Sequence, residues 1–178
     1  MFIRQAACED IAGIAQVHVD SWRSSYRGLL PGKFLAELSY QDRMRMWERA
    51  LCMGPRRSFA FVATEEGGRI IGFASGGPAQ TQDPFYRGEL YAIYLLEAFQ
   101  KRGIGKELFQ QVHARLTQDG FRNMFIWVFE KNPSARAFYE RLGGKLVREQ
   151  RIRVGETDLI EVAYGWNLES SVPISELK

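Results

Sequence analysis

The chain has 178 residues, 46% hydrophobic and 25% charged, which suits one domain with a sizeable core. Its 24 basic and 21 acidic residues leave a net charge of +3, too mild to argue nucleic-acid binding. No apolar run approaches the ~20 residues of a membrane span, and Met1-Phe2-Ile3-Arg4 lacks the apolar core of a signal peptide. Cys8 and Cys52 stand alone without a CxxC spacing. They suggest neither a disulfide framework nor a zinc site, and they fit a reducing cytosol.

Phe2 to Gln5 reads as a short first strand. Glu9 and Asp10 suit a helix start, where negative charge meets the positive end of the dipole. Ile11, Ile14, Ala15, His18 and Trp22 then fall on one helical face, and Arg27 to Gly32 breaks that helix. Lys33 to Leu38 predicts a short helical piece. Gln41 to Met53 predicts a longer helix with Met44, Trp47 and Leu51 inward, stopped by Gly54-Pro55. Phe59 to Thr64 and Arg69 to Gly77 flank the turn Glu65-Glu66-Gly67-Gly68 as a hairpin. After a polar loop, Pro78 to Pro84, the next strand runs from Glu89 to Leu96. Strict alternation puts Glu89, Tyr91 and Ile93 on one face and Leu90, Ala92 and Tyr94 on the other.

Ile104, Leu108, Val112 and Leu116 stripe a central helix that Asp119-Gly120 ends. Asn123 to Phe129 is a strongly apolar strand, and strand–helix–strand at this spacing predicts a right-handed parallel crossover. Asn132-Pro133 reads as an N-cap followed by proline at the first helical position. Ala135, Phe138, Tyr139 and Leu142 share a face, and Gly143-Gly144 closes the helix. Lys145 to Val154 and Thr157 to Trp166 form a terminal hairpin around Gly155-Glu156, with Ile160, Val162, Tyr164 and Trp166 alternating. The tail from Glu169 is polar and expected to be loose.

The segment richest in chemistry is Gln100-Lys101-Arg102-Gly103-Ile104-Gly105-Lys106, between a strand and a helix start. The first N–H groups of a helix have no internal partner and sit at the positive end of the dipole. Gly103 and Gly105 put no side chain in the way of a diphosphate, while Lys101, Arg102 and Lys106 add cationic charge. Two nucleotide motifs fail on spacing. A P-loop needs four residues between its glycines and a hydroxyl after the lysine, where Glu107 stands. A dinucleotide fingerprint needs a third glycine where Leu108 stands.

Gln-x-x-Gly-x-Gly after a strand resembles the acetyl-CoA motif of the GCN5-related N-acetyltransferases, the GNAT superfamily. Glu89-Leu-Tyr-Ala-Ile-Tyr-Leu looks like that family's fourth strand. Asn132-Pro-Ser-Ala-Arg-Ala-Phe-Tyr139 with Leu142-Gly143-Gly144 is similar to its second core motif. The two motifs cover Glu89 to Leu146 in the expected order. The resemblance implies a mixed α/β fold, α+β-like, with a central twisted sheet of about seven strands and helices on both faces. It implies acetyl-CoA-dependent acetylation of a primary amine on a small molecule or peptide, with no metal, nucleic acid or membrane partner. Two rivals stand beside this, a non-catalytic CoA-binding module and a transferase for another acyl-CoA such as succinyl-CoA. A homodimer is admitted by analogy alone.

By the same resemblance the fourth and fifth strands splay and the cofactor wedges between them. The main chain of Ile93, Tyr94 and Leu95 is then expected to pair with the pantetheine arm. The N–H groups from Lys101 to Lys106 hold the pyrophosphate, and Asn132, with Ser134 on the same wall, bonds the pantetheine or acyl end. An N–H near Leu95 stabilises the oxyanion, and Tyr139 protonates the leaving thiolate. Tyr139 also lies on an apolar face, where simple packing is the alternative. Glu89 is a candidate base, directly or through water, or a site for the ammonium; the bland alternative is a solvated strand-end carboxylate. Some family members carry a glutamate on the fifth strand where this chain has Trp127, which leaves Glu89 or water.

Trp22 and Tyr26, spaced i, i+4, fall where GNAT proteins build the acceptor wall, alongside Arg23 and Arg27, and Tyr91 shares the Glu89 face. Core packing is the competing account of Trp22. His18 is expected to be a core histidine rather than a pocket residue, and His113 a flank of the central helix. Two distant histidines make no metal site. Arg136 and Glu140 read as an exposed i, i+4 pair. Phe85-Tyr86-Arg87 either covers the site or merely enters the strand.

Overall fold

Seven strands and five helices organise the computed structural model, which describes residues 1–53, 58–81 and 83–169. The strands are β1 (Phe2–Gln5), β2 (Phe59–Thr64), β3 (Ile70–Pro78), β4 (Gly88–Leu95), β5 (Asn123–Phe129), β6 (Lys145–Val154) and β7 (Thr157–Asn167). The helices are α1 (Ile11–Ser25), α2 (Gly32–Ala36), α3 (Tyr40–Glu48), α4 (Ile104–Gln118) and α5 (Pro133–Arg141). The strands form one mixed sheet in the order β1-β2-β3-β4-β5-β7-β6, antiparallel throughout except for the parallel pair β4–β5 that α4 connects. The α/β class and the predicted parallel crossover are as the sequence implies.

The apolar periodicities sort into two layers. Ile104, Leu108, Phe109, Val112 and Leu116 of α4 pack with Tyr139 of α5, with Leu142 just after it, and with Leu90, Met124, Ile126, Val162, Tyr164 and Trp166 of the sheet. On the other face Ile14, Ala15 and Val17 of α1 and Trp47 of α3 pack on Ala60, Val62 and Phe73. Each fully buried aliphatic side chain contributes about 1.5–3 kcal/mol through lost water contact. A third cluster gathers Leu30, Leu35, Phe129 and Leu159, with Trp22, Tyr26 and Phe34 against it. The same face of the sheet therefore meets both α1 and the α1–α2 connection.

Several sequence expectations shift. The predicted Gln41–Met53 helix is α3 followed by a π-type turn over Arg49–Met53. Trp47 is buried, but Met44 is 38% exposed, because the apolar face of so short a helix is narrower than the pattern suggested. Lys33–Leu38 is realised as α2, one residue earlier at its start and two shorter at its end. Arg136 and Glu140 are not a direct pair: Arg136 Nε donates to the Tyr164 hydroxyl, which donates to Glu140 Oε1. Gly54-Pro55 and the tail beyond Glu169 lie outside the described residues.

The cysteines give the largest correction. Cys8, just before α1, and Cys52, in the π-type turn after α3, form a disulfide across 44 residues of chain. No local spacing announces it, because the partners meet only when α3 packs against α1. Among the described residues no helix is long and apolar enough to cross a membrane.

On the chain-entropy account, closing a loop of this length stabilises the fold by up to about 4 kcal/mol. Urea unfolding with and without a thiol reductant should therefore show a lower midpoint under reduction. A midpoint unmoved by the reductant would show that the bond contributes nothing in solution.

Candidate active site

The parallel ladder between β4 and β5 consists of two residue pairs, Gly88 with Met124 and Glu89 with Phe125. Beyond Glu89 the strands part. On the outer sides the ladders continue: β4 follows β3 from Pro78↔Gly88 to Gly72↔Leu95, and β5 follows β7 from Asn123↔Asn167 to Phe129↔Glu161. The cause lies in β4. Its register with β3 shifts between Ser75 and Gly76, leaving Tyr91 as an extra residue, and such a bulge bends its strand.

The bulge also reorders the faces. Leu90 packs in the α4–α5 core together with Ile93 and Leu95, while Ala92 and Tyr94 pack on the α1 side. Glu89, opposite Leu90, therefore shares the α1 side with Ala92 and Tyr94, not with Ile93 as unbroken alternation implied. Main-chain direction follows as well. Leu96 N–H donates to Ile71 O at 2.9 Å. Alternation turns Tyr94 toward β3 in the same way, and Ile93 and Leu95 toward the open fork. Tyr94 thus reaches the site through its side chain, and Ile93 and Leu95 through their main chain.

At the mouth of the fork lies the turn into α4. Gly103 is the N-cap residue, with φ 84°, and a Cβ there would meet nothing within 4 Å. Lys101 also takes positive φ, 59°. The Gln100 side-chain amide donates to Leu95 O at 3.2 Å, tying the turn to the end of β4. The chain accordingly presents the first N–H groups of α4, through Ile104, Gly105 and Lys106, beside the exposed Lys101 and Arg102. A Cβ on Gly105 would stand 3.4 Å from Phe138 and 3.5 Å from Leu95, so α4, α5 and β4 converge there. Asn132 caps α5 as expected: its Oδ1 accepts from Ala135 N at 3.1 Å, which leaves its Nδ2 to donate elsewhere. Ser134 is exposed in the first turn of the same helix. These features suit a diphosphate with an extended arm, namely donors on a helix start and an unpaired strand edge leading away from them.

Tyr139 is 5% exposed and packs beside Phe138, Tyr164 and Trp166. Its hydroxyl makes no hydrogen bond among the described residues. Burial, and secondarily Tyr94, push its pKa far above the ordinary phenol value, so it stays protonated. Tyr94 belongs to the opposite face, and the open fork lets the two approach. The Tyr94 and Tyr26 hydroxyls are 2.9 Å apart, and burial raises both phenols. Trp22 and Phe129 meet Tyr26 edge-on, with centroids at 5.1 and 4.9 Å, completing an aromatic wall. His18 is a core histidine: its Nδ1 accepts from Trp47 Nε1 at 3.2 Å, it stacks on Tyr94, and desolvation pushes its pKa down to about 3. Tyr91 sits in the bulge with its hydroxyl donating to Pro78 O, apart from this wall. His113 is half-buried on α4 against Phe109.

Glu89 stands at the apex of the fork and is 7% exposed. Its Oε2 accepts from Gln80 N at 2.7 Å. Burial raises its pKa, Glu161 adds to the rise, and the Gln80 N–H and Arg148 oppose it. Glu161, directly across β7–β5 from Phe129, is also raised by burial, while Gln150 Nε2 donates to it at 3.2 Å. Neither Glu161 nor Arg148 stood out in the sequence. The only signal was a carboxylate on the strand face opposite Val162 and Tyr164, which reads as solvent-facing, whereas Glu161 is half-buried.

The profile of the Acetyltransferase (GNAT) family matches residues 12–144. An uncharacterised N-acetyltransferase of Bacillus subtilis (strain 168), YuaI, is 42% identical over 164 residues, covering 92% of this chain and 91% of that protein. Two solved structures share the fold. The PaiA N-acetyltransferase of Thermoplasma acidophilum in complex with coenzyme A has a TM-score of 0.68 at 20% identity, over 90% of this chain and 96% of that one. YncA of Salmonella typhimurium, a putative acetyltransferase with its cofactor acetyl-CoA, has a TM-score of 0.71 at 19% identity, over 97% and 96%. The chain belongs to the GNAT acetyltransferase family.

Because Gly103 meets open space, Gly103→Ala isolates the backbone cost of its conformation. It should lower unfolding stability by about 1 kcal/mol, read by urea denaturation. A larger loss would mean the glycine is required for packing as well.

Proposed function

We propose that the chain is an acetyl-CoA-dependent N-acetyltransferase that passes an acetyl group directly to a primary amine of a small molecule or peptide. The observation that carries this is the fork, whose unpaired β4 edge leads from the donor-rich start of α4 to Glu89 at the apex. The coenzyme A and acetyl-CoA held by PaiA and YncA, which share the fold, support the choice of ligand. Bound there, acetyl-CoA supplies an activated thioester.

The chain does the rest. Gly103, Ile104, Gly105 and Lys106 offer N–H groups to the diphosphate, with Lys101 and Arg102 adding charge and Gln100 fixing the turn. Ile93 and Leu95 add main-chain donors and acceptors along the arm, and Asn132 Nδ2 and the Ser134 hydroxyl complete the wall. Trp22, Tyr26 and Tyr94 flank the acceptor. Glu89 takes the ammonium proton, and the neighbouring Glu161 favours a cationic acceptor before that transfer. The Leu95 N–H faces the carbonyl oxygen as it gains charge. Tyr139, protonated at any pH at which the protein works, gives its proton to the departing sulfur, and the second proton shed by the acylated nitrogen restores the phenol.

A second reading, a coenzyme-binding module without turnover, draws on the packing of Tyr139 among Phe138, Tyr164 and Trp166. Thiol release from acetyl-CoA with a panel of amines separates the two. Tyr139→Phe should lower kcat by about a hundredfold while acetyl-CoA still binds. Absence of thiol release with every amine, with binding intact, would favour the module.

The pH profile tests Glu89. A base must be ionised, so activity rises with pH through its value. Because burial raises that value, the acid limb should lie above the ordinary carboxylate range. Glu89→Gln should remove the limb; a limb that survives in that variant assigns the proton transfer to another group or to water.

A further inference from the structure

Glu89 is held by a loop, and the loop is held by an arginine together with Asn123, whose Nδ2 donates to Phe85 O at 3.4 Å. The connection from β3 to β4, described for residues 79–81 and 83–87, is closed at the base by Ala79 N–H donating to Arg87 O at 2.7 Å. Within it Gln80 N–H donates to Glu89 Oε2. Asp83, 9% exposed, accepts from the N–H groups of Phe85 and Tyr86 through Oδ1. Its Oδ2 is paired with Arg148 Nη1, which comes from β6 on the far edge of the sheet.

The Arg148 guanidinium lies over three rings, Phe125 at 5.0 Å, Tyr86 at 5.6 Å and Trp127 at 5.7 Å. Two of these rings belong to β5, the strand that forms the fork with β4. Tyr86 lies so close to Gly165 that a Cβ there would meet its hydroxyl at 2.5 Å, so the loop is seated on bare backbone of β7. A planar cation that stacks and pairs at once suits arginine and not lysine, whose ammonium is a compact, hydrated point charge. Burial works to raise the Asp83 carboxyl, yet the two N–H groups and the guanidinium hold it below its ordinary range.

We propose that Arg148 is a positioning residue for Glu89: through Asp83 it seats the 79–87 loop, and the loop's Gln80 N–H holds the Glu89 carboxylate at the apex of the fork. The catalytic consequence rests on Glu89 acting as the base. The groups that bear on the Glu89 carboxyl are the Gln80 N–H from the loop, Glu161 from β7, Arg148 from β6 and Tyr91 from its own strand. Removing Arg148 withdraws a cation and frees the loop that carries the N–H donor. Both losses favour the neutral acid, so Glu89 ionises at higher pH.

The test follows the carboxyl itself, by carbon NMR of isotopically labelled glutamate, with Glu89 assigned from Glu89→Gln. In Arg148→Met the Glu89 titration should move up by about one pH unit. Activity one unit below the wild-type limb should then fall about tenfold while the high-pH plateau changes far less. Asp83→Asn keeps the cation and its aromatic stack but weakens the tie to the loop; its lost negative charge alone would move the titration down, so an upward shift in this variant reports the freed loop. Arg148→Lys should fall between wild type and Arg148→Met. Should Arg148→Met not fold, Asp83→Asn and Arg148→Lys decide the matter by the same titration. An unmoved Glu89 titration in these variants, with only a lower melting temperature, would overturn the proposal and leave Arg148 a structural prop. A shifted titration in a protein that acetylates no amine would uphold the positioning and remove the base assignment instead.

Discussion

The constraint on which this molecule depends is the early end of the β4–β5 ladder. A sheet interior normally satisfies every backbone donor and acceptor, and a buried group left unpaired costs on the order of 1–3 kcal/mol. Here the β4–β5 pairing stops at Glu89 and Phe125, and alternation turns the main-chain groups of Ile93 and the Leu95 N–H toward an opening, while Leu95 O accepts from Gln100. The bulge at Tyr91 bends β4 away from β5, and the full β3–β4 and β5–β7 ladders fix the two limbs apart. Strand edges left open inside a sheet need either water or a guest with its own amides. In the proposed function the pantetheine arm of acetyl-CoA is such a guest, with its diphosphate at the start of α4.

That single opening connects two faces which are otherwise separate. Tyr139 comes from the α4–α5 layer, while Tyr94, Tyr26 and Trp22 come from the α1 layer. A donor thioester on one side and an amine on the other would meet at this point, with Glu89 at the closed end. The segment from α1 to α3 is also closed on itself, since the Cys8–Cys52 bond spans α1, α2 and α3.

Much of this architecture was legible in the residues. The α4 stripe, the β5 run and the Asn132-Pro133 cap each obey a local rule of periodicity or capping, and each lies within a residue or two of its expected bounds. The turn from Gln100 to Lys106 was legible for the same reason, because its glycines and charges are contiguous. What escaped was set by distance in sequence. The bulge at Tyr91 depends on the register against β3, so strict alternation placed Glu89 beside Ile93. Asp83, Arg148 and Glu161 come from a loop and two strands that meet only after the terminal hairpin inserts β7 between β5 and β6. Cys8 and Cys52 likewise carry no mark of each other until α3 packs on α1.

The central claim is that the chain's own main chain, at the fork and at the start of α4, grips coenzyme A. Isothermal titration calorimetry of the intact protein with coenzyme A and with acetyl-CoA tests it most directly. The account predicts saturable binding of both at one site per chain, because the gripped arm and diphosphate are common to the two. A protein that gives no heat with either ligand, and whose melting temperature neither raises, would contradict it.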